Sequence, residues 1–132
     1  MLIPTIHFPG NCDQAITFYK EVFGAQVKRI DYFRDAPPGT VVEGFSSPTH
    51  VMNSEVIIAG TLLSMTDGGK TRGTDDVTFL VLYDCPEEVT AVFNKLAHSG
   101  KVMEALEPQF WVSLYGVVKD RFGVSWQISA KE

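Results

Sequence analysis

The chain runs twice through the same order of elements, and this repetition restricts its fold more than any single motif does. FYKEVFG (Phe18–Gly24) in the first half matches VFNKLAHSG (Val92–Gly100) in the second, each the end of an amphipathic helix closed by glycine. Each helix follows a short apolar stretch, and each half ends in two strand-like segments meeting at a turn glycine, Gly60 or Gly123. Both halves therefore read strand, helix, strand, strand, strand. A repeat of roughly 60–75 residues is longer than the solenoid periods of about 20–50. The expected fold is α+β: two tandem βαβββ modules, residues 1–70 and 71–132, each a curved mixed sheet with its helix outside. Their polar inner faces are expected to enclose a cavity.

The elements follow from local signals. Leu2–Phe8 reads as a strand whose Pro4 marks its start or an edge. Asn11 or Asp13 is the expected cap of a helix carrying Ala15, Ile16, Tyr19, Val22 and Phe23 at helical spacing. Gly24 is expected just past its end. Ala25–Phe33 is a second strand, and Asp35-Ala36-Pro37-Pro38-Gly39 a loop. Val51–Ile58 and Thr61–Thr66 form a hairpin over Ala59-Gly60. The polar, glycine-rich Asp67–Asp76 is read as the linker. Val77–Tyr83 is the next strand. Pro86, Glu87 and Glu88 open the second helix, whose stripe is Val89, Val92, Phe93, Leu96 and Ala97, and Gly100 is expected to close it. Strands are expected over Lys101–Glu107, Phe110–Lys119 and Val124–Ser129. In the last, Val124, Trp126 and Ile128 alternate with Ser125, Gln127 and Ser129, which predicts one apolar face toward a helix and one wetter face.

With 45% hydrophobic and 20% charged residues among 132, the composition suits a globular domain with a core of its own. A net charge of −5 and the lack of a Lys/Arg cluster argue against nucleic acid as a partner. No apolar run reaches a membrane span and no signal pattern opens the chain, so a cytoplasmic location is expected. Cys12 and Cys85 follow neither a metal nor a disulfide spacing.

Pro9-Gly10-Asn11-Cys12 leading into Phe18-Tyr19, then Phe110-Trp111, Tyr115-Gly116 and finally DRFGVSWQI (Asp120–Ile128), resemble in this order the PhnB-like branch of the glyoxalase/bleomycin-resistance (vicinal oxygen chelate) superfamily. Such proteins are often labelled demethylubiquinone methyltransferase-like, yet no glycine-rich strand-to-helix turn suited to a nucleotide-derived methyl donor is present. The resemblance implies a divalent metal held by His, Glu or Gln side chains from the first and last strand of each module, acting as a Lewis acid. Carried over by position, the four places fall at Pro4 or Thr5, at Ser64, within Asp76–Thr78 and at Gln127. Gln127, Asp76 in one register, and His7 two residues along the first strand are the metal candidates, fewer than the three or four good donors a stable site wants. No cofactor is therefore expected. The resemblance also implies a homodimer.

The expected cavity residues are Gln127, Ser64, His7, Trp111 and Tyr115, with Gln127 foremost because a carboxamide among apolar neighbours must find a partner. Trp111 and Tyr115 are placed to stack on a flat ligand, against the alternative of core or dimer packing. His7 has the alternative of an edge histidine, His98 that of meeting a helix dipole, and Cys12 that of a small buried hydrophobe. His50 falls in a Ser/Pro/Thr loop. Trp126 and Phe93 are expected to pack sheet against helix. Arg34 and Arg121 are possible anion contacts whose ordinary role is solvent-facing. No nucleophile–base pair is visible, and no catalytic residue is assigned. The expected function is a cavity protein binding an unidentified small molecule without metal. The alternatives are a metal-dependent lyase, isomerase or dioxygenase, and an assembly subunit.

Overall fold

The computed structural model of the chain describes residues 1–39, 44, 45, 47–68 and 76–131. It separates into two compact units, Met1–Arg72 and Gly73–Glu132. Most of the expected linker, residues 69–75, lies outside the described residues.

The first unit contains β1 (Thr5–Phe8), α1 (Cys12–Phe23), β2 (Gln26–Tyr32), a 3-10 turn (Phe33–Asp35), β3 (Val51–Ile58) and β4 (Thr61–Asp67). Its sheet runs β1-β4-β3-β2, with β1 parallel to β4 and the other pairs antiparallel. The second contains β5 (Phe79–Tyr83), α2 (Pro86–His98), β6 (Lys101–Glu107), β7 (Tyr115–Lys119) and β8 (Ser125–Ala130), in the order β5-β8-β7-β6 with the same parallel and antiparallel pattern. Each unit is the βαβββ module that the repeat predicts, and the α+β fold class is confirmed.

Helical periodicity decides which sheet face is covered. Cys12, Ala15, Ile16, Tyr19 and Val22 share the buried face of α1 and lie over β3 and β4. There they meet a core holding Val56, Ile58, Leu63 and Met65. Val89, Val92, Phe93 and Leu96 do the same for α2 over Val118, Trp126 and Ile128. Trp126 and Phe93 thus pack sheet against helix as expected. Burying each large aliphatic or aromatic side chain stabilises a unit by about 1.5–3 kcal/mol.

The turns show where local chemistry prevails. Ala59 (φ 49°) and Gly60 (φ 82°) both take positive φ, the requirement of a tight I′ hairpin turn. Gly24 ends α1 in the left-handed region at φ 65°. Gly100 does not play that part: α2 is capped at Ser99, and Gly100 has no positive φ. It is glycine for want of room, since a Cβ there would stand 2.3 Å from the Lys119 carbonyl oxygen and 2.7 Å from that of Leu96. Phe110–Leu114 is also not strand, because β7 begins only at Tyr115.

Two buried aspartates that composition could not single out hold the loops. Asp67, expected in the linker, is the last residue of β4 and only 2% exposed. Its Oδ1 accepts from the backbone N–H of Gly10 (3.0 Å) and Cys12 (3.0 Å), and its Oδ2 from that of Val51 (2.8 Å). Of the two expected caps, Asn11 stands at the N-cap and Asp13 inside the first turn; Asn11 makes no side-chain cap bond, and among the described residues its buried Oδ1 has no hydrogen-bond partner. In the second unit Asp120 accepts from Phe122 N (2.8 Å), Val124 N (3.1 Å) and Trp126 Nε1 (2.9 Å). Charge-assisted bonds of this kind are the stronger ones, and removing the acceptor strands buried donors.

Asp67→Ala and Asp120→Ala are each expected to lower unfolding stability by about 3 kcal/mol in urea titration. A loss under about 1 kcal/mol would contradict the assigned role. Gly100→Ala is expected to lower the melting temperature more than Gly116→Ala does. The Gly116 Cβ would meet the Phe93 ring edge at 2.6 Å, a side chain freer to shift than a backbone carbonyl, although Leu106 Cα also stands at 3.1 Å. The reverse order would overturn this reading of the two glycines.

Candidate functional site

A single helix per sheet leaves one sheet face uncovered, and strand alternation assigns its residues. In the second unit Gly116, Val118, Trp126, Ile128 and Val81 belong to the helix side. The opposite face is built in ranks read from the register: Leu80 beside Gln127, then Val117, then Glu104; and Leu82 beside Ser129, then Tyr115, then Glu107. Leu80 and Leu82 stand half exposed on it. The face is less wet than alternation alone suggests, since Ser125 and Ser129 are buried. Ser129 Oγ lies within hydrogen-bonding reach of the Leu114 and Ala130 carbonyls (3.3 and 3.0 Å), because the segment entering β7 runs along this strand end.

Gln127 is held at both ends of its carboxamide. The Tyr115 hydroxyl donates to its Oε1 at 3.0 Å, and its Nε2 donates to Thr78 Oγ1. Ahead of β5 the Thr78 side chain meets Gln127, whose register partner on β5 is Leu80, while Asp76 lies exposed outside the strand. Burial, and then the charge of Glu104, push the Tyr115 phenol above its ordinary pKa, which keeps it a donor at neutral pH. Trp111 stands edge-to-face against Tyr115 with centroids 5.6 Å apart, and Phe110 against Trp111 at 4.8 Å. Their loop is pinned by Gln109 N donating to Val112 O (3.0 Å) and by Ala130 N donating to Leu114 O (2.9 Å). Gln127, Tyr115 and Trp111 are therefore brought together. Thr78, which completes the chain, was not singled out from the sequence; its only signal was its place in the sliding segment.

Ser64 and His7 belong to the uncovered face of the first sheet. Ser64 pairs with Thr5 across β1 and with Glu55 across β3, and its hydroxyl donates to Asn53 Oδ1 at 3.2 Å. His7 is one rank along, beside Thr66, and exposed on the edge strand. Further across that sheet Arg29 pairs with Asp31 at 2.8 Å. Among the described residues no three His, Cys, Asp or Glu side chains gather as a metal cluster.

The remaining singled-out residues have structural settings. Cys12 is fully buried, and burial, reinforced by Asp67 and Asp13, drives its thiol pKa far above the ordinary range, the opposite of an activated thiol. His50 Nδ1 accepts from Ser47 N at 3.2 Å and its ring meets Phe45 edge-on. His98 lies in the last turn of α2. Arg34 lies over the Tyr32 ring (4.5 Å) and Arg121 over Phe122 (4.7 Å). Among the described residues no helix is long and apolar enough to cross a membrane.

The family described as 3-demethylubiquinone-9 3-methyltransferase matches residues 1–129. Protein YjdN of Escherichia coli (strain K12) is 30% identical over 137 residues, covering 97% of this chain and 93% of that protein. Protein PA1353 from Pseudomonas aeruginosa shares the fold with a TM-score of 0.86 at 25% identity, over 99% of this chain and 97% of the other. A putative 3-demethylubiquinone-9 3-methyltransferase, PhnB protein, from Bacillus cereus does so with 0.83 at 22%, over 98% of each. The fosfomycin resistance protein FosX from Listeria monocytogenes, at 11% identity, keeps the fold with a TM-score of 0.70 over 100% of this chain and 93% of that one. Matched almost end to end by the family and at this level by YjdN, the chain belongs to the family described as 3-demethylubiquinone-9 3-methyltransferase.

Proposed function

We propose that the chain binds a small molecule on the uncovered face of its second sheet and does so without a resident metal. The observation that carries this reading is Gln127. Its carboxamide is fixed by Tyr115 and Thr78 between Leu80 and Val117, a polar group of set orientation between apolar neighbours. One amide N–H and one lone pair of Oε1 are left for a ligand.

The donor chemistry supports the metal-free part. Of the places that the resemblance assigns to metal donors, Pro4 or Thr5 and Ser64 offer at most neutral hydroxyls, poor ligands for a transition ion, and Gln127 has the apolar Leu80 as its partner on β5. Gln127 Oε1 already accepts a hydrogen bond. The methyltransferase in the family's description finds little support in these residues. The β1-to-α1 turn has a single glycine, Gly10, and a buried carboxylate already takes its N–H. The homodimer and cytoplasmic setting expected from the sequence form part of the same proposal.

A thermal-shift screen against flat aromatic metabolites tests the platform. A ligand at about 100 times its Kd adds about 2.7 kcal/mol, a rise of several degrees. This shift is expected to vanish in Gln127→Leu and to shrink in Trp111→Ala. Shifts that persist in both variants would move the site elsewhere.

A further inference from the structure

The charge and aromatic geometry around Tyr115 go further than the existence of a site and specify the sign of its ligand. Phe110, Trp111 and Tyr115 form a chain of edge-to-face contacts with interplanar angles of 82° and 68°. Each edge-to-face contact occupies one face of one of its two rings, and the ring faces left over carry the negative lobe of the quadrupole. Phe110 is 97% and Trp111 50% exposed, although their loop is pinned at both ends by backbone bonds. Two large aromatic side chains are thus presented outward from an ordered segment.

The neighbouring strand adds charge of one sign. β6 sets Glu104 beside Val117 and Glu107 beside Tyr115. Neither glutamate forms an ion pair among the described residues. Except for Lys131, which follows Ser129 and Ala130 at the Tyr115 end of the sheet, the cations of this unit stand apart, Lys95 on α2 among them. Lys101 and Lys119 pair with each other across the far end of the β6–β7 ladder, about 13 Å from Tyr115 at the rise of a strand. Lys131 reaches Asp84 at 3.8 Å, and Arg121 lies over Phe122. The aromatic end of the face therefore has negative potential from both ring faces and carboxylates. An anion placed there would be repelled, whereas a flat cation would gain from both sources.

We infer that the ligand of this face is a planar organic cation that stacks on Trp111, beside Phe110 and Tyr115, and is charge-matched by Glu104 and Glu107. The inference rests on the reading of this face as a binding platform and adds the ligand's class. Cation–π attraction supplies affinity that a neutral ring of the same shape lacks. The two glutamates set the preference over an anion, and Gln127 fixes the ligand's orientation.

Three planar probes of one shape provide the test: 10-methylacridinium, acridine and acridine-9-carboxylate, titrated calorimetrically into the intact protein at pH 8. The cation is expected to bind about tenfold more tightly than the anion, with acridine between. The double variant Glu104→Gln/Glu107→Gln is expected to erase the preference while keeping acridine affinity, and Trp111→Ala to weaken all three. Equal binding of all three, or tighter binding of the carboxylate, would overturn the charge assignment and leave the platform standing. A cation preference that survives the double variant would overturn it too, since it would then come from the net charge of −5. Failure of all three to bind would overturn the planar-cation class, while the Gln127→Leu screen would still decide the platform separately.

Discussion

One amphipathic helix can bury only one face of a four-stranded sheet, and everything distinctive in each unit follows from that constraint. The covered face is fixed by the 3.6-residue period of α1 and α2 meeting the two-residue period of the strands. It takes Trp126, Ile128 and Val118 in one unit and Val56, Leu63 and Met65 in the other. The residues of opposite parity are then left on the uncovered face whatever their chemistry. In the second unit these include Gln127, Tyr115, Leu80 and Leu82, and in the first Ser64, Thr5 and His7.

The two faces differ in how their polar groups are used. In the second unit the tyrosine, the glutamine and the threonine tie three strand ends into one hydrogen-bonded chain, so the carboxamide has a set direction before any ligand arrives. Such preorganisation lowers the ordering cost of binding. In the first unit Ser64 on β4 bonds to Asn53 on the neighbouring β3, while Arg29 and Asp31 pair within β2. Two of the places that the resemblance assigns to metal donors, Ser64 and Gln127, thus carry a hydroxyl and an engaged amide.

Much of this was legible in the sequence because it rests on period and punctuation. The βαβββ order, the Ala59-Gly60 turn, the Val51–Ile58 and Lys101–Glu107 strands and the packing of Trp126 all follow from alternation, helical spacing and turn chemistry. What was not legible depends on contacts distant in the chain. Asp67 reads as linker because its neighbours are polar, yet its partners lie as far away as Gly10. Gly100 reads as a helix stop, yet its need for glycine comes from the Lys119 carbonyl on another strand. Thr78 was lost in a segment whose register only pairing with β8 could settle, and Phe110–Leu114 has strand composition but follows a loop path. Of the candidate site, the placing of Gln127 and Tyr115 on one sheet face was readable from strand parity, whereas Trp111 joins them from a loop. The glutamates of β6 were not, because their place beside Tyr115 depends on register shifts in the β6–β7 ladder.

The central claim is that hydrogen bonding and stacking, without a resident metal, give this face its function. Metal analysis tests it most directly. The tag-free protein would be exposed separately to Zn²⁺, Mn²⁺, Ni²⁺ and Fe²⁺, dialysed, and its retained metal measured. The account predicts retention far below one ion per chain, unchanged in Gln127→Ala. A near-stoichiometric ion that disappears in Gln127→Ala would contradict it and favour the metal-dependent alternative.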